Sequence, residues 1–68
     1  MNHGGPMTLK AIQELMRLKG WNQAELARQL DLSEAAVSRW FKGEHLPTGP
    51  GRILMRQWLK EARRLQPA

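Results

Sequence analysis

Asn22-Gln23-Ala24-Glu25-Leu26-Ala27-Arg28-Gln29-Leu30-Asp31-Leu32-Ser33-Glu34-Ala35-Ala36-Val37-Ser38-Arg39-Trp40-Phe41-Lys42-Gly43 is the stretch whose reading decides the fold. Asn22, with Glu25 three residues on, has the spacing of a capping box and opens a helix of about two turns. Ala24, Leu26, Ala27 and Leu30 share one side of it. At Asp31 and Leu32 the chain must turn. Ser33 suits the N-cap of a second helix, because its hydroxyl accepts a hydrogen bond from the backbone two or three residues ahead. That helix runs to Lys42 and stops at Gly43.

Two short helices joined by a turn of about three or four residues pack crosswise only if small side chains sit where the backbones approach. Ala24, Ala27 and Ala36 supply these, and Leu26, Leu30, Leu32, Val37 and Trp40 project onto a common core. Left on the outer side of the second helix are Ser33, Glu34, Ala35, Ser38, Arg39 and Lys42, a face that is small, polar and basic.

Upstream, Leu9, Ile12, Leu15, Met16 and Leu18 recur at helical spacing between Thr8, a cap, and Gly20, a terminator. Residues 1–7 read as a flexible arm or a cloning remnant and are set outside the fold. Residues 8–66 form the domain, with residues 23–42 as its central pair of helices. Downstream, Glu44 to Gly51 holds two prolines and two glycines and reads as an ordered loop. Thr48 is placed to cap a last helix. On that helix Leu54, Met55, Trp58, Leu59, Ala62 and Leu65 share one arc, and Arg52, Arg56, Lys60, Arg63 and Arg64 another. Nothing in the pattern asks for a strand. The fold class expected is all-α, a compact domain of four helices, or five if the last segment breaks.

The chain has 68 residues, so it makes one domain at most and buries only about 60% of its unfolded surface. That is too little to enclose an ordinary substrate pocket, and no paired carboxylates or glycine-rich phosphate loop point to catalysis. Neither Ser33 nor Ser38 has a histidine base nearby in sequence, so nucleophilic catalysis lacks support. Without cysteine there is no disulfide or thiolate site, and the two histidines lack ligand spacing, so no metal or cofactor is expected. Eleven basic against six acidic residues give a net charge of +5, which favours a polyanionic partner. No run approaches the roughly 20 apolar residues of a membrane span, and the start lacks a secretory pattern, so a cytoplasmic location without membrane or small-molecule partner is expected.

In Gly20 to Ala27 and again in Leu32 to Trp40, the sequence resembles the lambda-repressor and Cro type of helix-turn-helix proteins. In Leu46-Pro47-Thr48-Gly49-Pro50-Gly51-Arg52-Ile53-Leu54 it is similar to small repressors and to antidote proteins of toxin–antitoxin pairs, some of them carried by phages or plasmids. The resemblance implies double-stranded DNA as partner. Gln23, beside Asn22, meets a phosphate at the start of its helix. Ser33, Glu34 and Ala35 point at base edges, with Ser38 one turn further along. Arg39 either pairs with O6 and N7 of guanine or contacts phosphate. Lys42, Thr48, Gly49 and Arg52 lie against the sugar-phosphate backbone.

The sequence departs from that pattern in three places. Asp31 stands where glycine is usual, tolerably, because aspartate enters the left-handed region more readily than most residues. Glu34 replaces a common glutamine and either accepts from cytosine N4 or repels phosphates. Phe41, at an often polar site, is expected as an exposed apolar contact. The basic arc of the last helix either touches phosphates or is simply solvated. Trp58 and its apolar neighbours read as a lid over the first three helices, and from the same arc Met55, Trp58, Leu59 or Leu65 extend into a homodimer contact, because one module buries little DNA. The resulting expectation is a repressor dimer on an inverted repeat; the alternative is a protein-interaction module, such as the antidote of a toxin, in which DNA binding is secondary.

Overall fold

The computed structural model describes residues 7–47 and 49–65. They form four helices: α1 (Leu9–Lys19), α2 (Gln23–Leu30), α3 (Glu34–Phe41) and α4 (Gly49–Leu65). No strand occurs among the described residues, and α4 runs unbroken, so the last segment adds one helix and not two.

Each of the first three helices starts where a short polar side chain can satisfy an orphan amide. Thr8 Oγ1 accepts from the Ala11 amide at 3.1 Å, Asn22 Oδ1 from Glu25 at 2.8 Å and Ser33 Oγ from Ala36 at 3.1 Å. Such a cap typically contributes about 1 kcal/mol. The expected capping box at α2 forms only in its forward half. Glu25 does not reach back to Asn22; its carboxylate takes the Arg28 guanidinium at 2.7 and 3.0 Å and the Gln29 amide at 2.7 Å.

The C-termini follow the same logic. Gly20 ends α1 at φ 72°, and Asp31 ends α2 at φ 59°, so this aspartate takes the left-handed conformation expected at a glycine site. Its amide and that of Leu32 bond to Arg28 and Ala27 carbonyls at 3.2 and 2.8 Å, which closes the turn between α2 and α3.

Ile12, Leu15, Leu26, Val37 and Met55 are fully buried, and Met7, Ala27, Trp40 and Leu59 complete one cluster shared by all four helices. α1 packs mainly on α4, and α2 on α3. Glu14 fastens the first pair from outside: Arg63 donates to its two carboxylate oxygens at 2.6 and 3.2 Å. At the far end of α1 the Trp21 and Trp58 rings meet edge to face, with centroids 5.5 Å apart at 86°, and Lys19 Nζ lies 5.5 Å from the Trp21 ring.

The packing corrects several sequence expectations. Met7, assigned to the leader, is 3% exposed. It precedes the Thr8 cap while Ile12 sits at the fourth helical position, the two ends of a hydrophobic staple, and both lie in the buried cluster. Leu32 is 43% exposed and not a core residue, because it sits in the turn, held by its backbone to Ala27. Ala24 faces solvent, whereas Ala27 is buried and Ala36 half-buried at the α2–α3 junction. Phe41 is half-buried against the core, not exposed. Met55 and Leu59 are buried within the domain, so neither side chain is available for the dimer contact assigned to it. Leu54 and Leu65 fall outside the core instead, because the apolar arc of α4 is wider than the surface α1 and α3 offer it.

Candidate nucleic-acid interface

Val37 and Trp40, three residues apart, anchor α3 to the core. Helical geometry then fixes what the opposite side presents. Ala35, Arg39 and Lys42 are exposed in a row, Ser38 is half-buried beside them, and Glu34 is exposed at the N-terminal end. The Arg39 guanidinium has no protein partner among the described residues. Its backbone carbonyl is occupied, accepting from Lys42 and Glu44 at 3.2 and 3.1 Å. The backbone is therefore fixed while the side chain extends into solvent, a pre-organised arrangement for a guanidinium that binds an external acceptor.

Two of the expected contact residues already have a structural task. Ser33 Oγ accepts from Ala36, which leaves its hydroxyl proton to donate outward. Asn22 Oδ1 accepts from Glu25, which leaves the two amide protons of its side chain. Gln23 is half-buried at the first residue of α2, where free backbone amides also gather. Lys42 caps α3, and Gly49, at φ 70°, opens α4 with Arg52 half-buried one turn into it. Thr48 lies outside the described residues.

Electrostatics divides the α2–α3 unit in two. On one side an open groove of about 700 Å³ is lined by Asn22, Ala24, Glu25, Ala27, Arg28, Asp31, Leu32 and Glu34. Three carboxylates against one guanidinium make it a poor seat for phosphate. The Gln29 amide and the Arg28 guanidinium hold the Glu25 carboxyl below its usual range, which favours its negative charge. On the other side Arg39 and Lys42 stand without acidic neighbours in hydrogen-bond reach. A polyanion would settle on the second side and be turned away from the first.

By its place on the helical wheel Arg63 belongs with the basic arc of α4, but Glu14 occupies its guanidinium and is in turn held below the usual carboxylate range by it. Charge counting along a helix does not reveal such a pairing, because Glu14 is 49 residues distant in sequence. No group of three or more metal-ligating side chains occurs among the described residues, and none of their helices is long and apolar enough to cross a membrane.

A capped two-turn helix, a left-handed turn and a second helix with a small, basic outer side define a helix-turn-helix domain within an all-α fold. The family model described as Helix-turn-helix matches residues 12–50, more than half the chain and the whole of α2 and α3. The chain belongs to this family, which is that of the lambda-repressor and Cro type, and it is a DNA-binding regulator of that class. The family is generally non-enzymatic. No curated protein and no solved structure matches the chain significantly.

Proposed function

We propose that the protein recognises a specific double-stranded DNA sequence by placing α3 in the major groove, and that it acts as a transcriptional repressor by occupying a promoter. The observation that carries this reading is Arg39: an unpartnered guanidinium on the outward side of a helix whose inward side is locked by Val37 and Trp40. In that position it can hold O6 and N7 of one guanine in a bidentate pair. Glu34, Ala35, Ser38 and the free proton of Ser33 face the neighbouring base edges. Glu34 at the mouth of the acidic groove also repels phosphate there, which fixes the direction in which α3 enters. Gln23, Lys42, Thr48, Gly49 and Arg52 bear on the sugar-phosphate backbone and set depth and angle; Asn22, which was expected to join them, lines the acidic groove instead.

The protein binds as a homodimer on an inverted repeat, with half-site centres about one helical turn, roughly 34–36 Å, apart. Its place of action is the cytoplasm, on promoter DNA.

Selection of bound sequences from a random duplex pool tests the proposal. A short enriched motif, repeated in inverted orientation at one-turn spacing, is the expected outcome. Recovery of no motif, with weak binding that is equal for all duplexes, would show that α3 does not read sequence.

A further inference from the structure

The apolar arc of α4 has a remainder that the core does not use. Leu54 is 37% exposed and Leu65 is 84% exposed, and both lie on the same flank of α4 as half-buried Trp58. Leu54, Trp58, Glu61 and Leu65 follow one another at intervals of three or four residues and so form a single stripe along the helix. The other flank carries Arg52, Arg56, Lys60 and Arg63, the last of them bound to Glu14. Trp58 meets Trp21 edge to face, and its indole N–H has no protein acceptor among the described residues.

We propose that this stripe pairs antiparallel with the same stripe of a second copy, across a two-fold axis that passes near Leu59 and Lys60. This rests on the homodimer stated above and assigns its surface. The order of residues selects both the occupant and the direction. Apolar residues stand at the two ends of the stripe, and a hydrogen-bond donor and a carboxylate stand next to each other in its middle. Antiparallel pairing sets Leu54 against Leu65 of the second copy at both ends. It also sets the Trp58 indole N–H against Glu61 of the second copy, twice. A parallel pair would instead oppose Glu61 to Glu61.

Charge supports the same occupant. Each chain carries +5, and two such molecules repel unless their basic surfaces point apart. Pairing through the Leu54–Leu65 flank turns Arg52, Arg56 and Lys60 away on each helix and leaves only Arg64 at the edge of the stripe, three residues after the Glu61 carboxylate. The contact is isologous, so every interaction occurs twice and every surface substitution counts twice.

Sedimentation equilibrium of the full chain, at concentrations up to the sub-millimolar range, tests the pairing with Leu54→Lys and Leu65→Glu. Both side chains are exposed, so the fold should be retained, and far-ultraviolet circular dichroism checks it. Each variant alone should weaken self-association at least about tenfold, because two charges then face leucine. An equimolar mixture should restore a dimer, since the new ammonium at position 54 of one variant meets the new carboxylate at position 65 of the other while the opposite end keeps its leucine pair. A wild-type chain that stays monomeric, singles that dimerise normally, or a mixture that fails to associate would each overturn the proposal. Binding of the same proteins to a duplex with one half-site separates the two readings. Wild type that binds DNA but does not self-associate refutes only the pairing, whereas wild type that binds no duplex refutes the DNA-binding reading itself.

Discussion

Replacing Asp31 by glycine should stabilise the protein, and the structure allows the gain to be worked out. Asp31 ends α2 at φ 59°, where an L side chain costs roughly 1–2 kcal/mol in general and aspartate somewhat less. Its carboxylate also sits at the negative end of the helix dipole, an unfavourable placement of about 0.3–1 kcal/mol. Glycine removes both penalties but gives the unfolded chain extra freedom, which takes back roughly 0.4–1 kcal/mol. The net is about 1 kcal/mol, or a rise of about 4–8 °C in Tm for a domain of this size. Two further variants separate the contributions. Asp31→Asn keeps tolerance of the left-handed region and removes only the charge, so it should gain a few tenths to about 1 kcal/mol. Asp31→Ala removes the charge but adds strain, and should fall near or below wild type. The assay is thermal unfolding followed by circular dichroism at neutral pH and moderate salt. Glycine no more stable than alanine at this position would refute the backbone argument, and asparagine less stable than aspartate would refute the dipole argument.

Other consequences are as direct. Met7→Ala should cost about 2–5 kcal/mol in denaturant unfolding, because Met7 closes the core beneath the first turn of α1. Removal of residues 1–7 should cost at least as much, whereas a dispensable leader would leave stability unchanged. Stability should be flat around neutrality and fall as pH drops through and below about 4.5. Glu14 and Glu25 both have carboxyls held below that ordinary value by their partners, so their contributions are present above it and lost beneath it. Glu14→Gln and Glu25→Gln should each flatten the acid limb; a limb unchanged in the double variant would mean that neither pair contributes. Affinity for a duplex should fall steeply and log-linearly with salt, with a shallower slope for Lys42→Ala if that residue contacts phosphate.

Much of this fold is legible in the sequence because its helix ends are chemically marked. Thr8, Asn22 and Ser33 can cap and do so; Gly20 and Asp31 can enter the left-handed region and do so. The inward pair Val37 and Trp40 is equally plain, because α3 is short and packs on one side only. Met7 is obscure in sequence because one apolar residue ahead of a cap has no periodic partner, although its staple relation to Ile12 is a usable signal. On α4 the periodicity gives an arc but not where the core ends within it. That limit depends on how much of α4 the other helices cover, so Met55 and Leu59 cannot be told from Leu54 and Leu65 by spacing. Side-chain pairing across the fold is hidden as well. Arg63 reads as one more surface cation until α1 brings Glu14 to it. The roles of Glu34, Ala35 and Ser38 are legible only as a face, since which base each one meets belongs to the DNA as much as to the helix.

The claim that α3 reads bases through Arg39 is tested most directly by one ratio: affinity for the selected duplex over affinity for a scrambled duplex, compared between wild type and Arg39→Ala at fixed salt. Loss of a bidentate guanine pair should lower that ratio by about 1–3 kcal/mol, roughly 5- to 150-fold. Thermal stability should hardly change, because the side chain is exposed and unpartnered. If affinity for both duplexes falls together and the ratio stays the same, Arg39 holds phosphate, and the account of how this helix reads sequence is wrong.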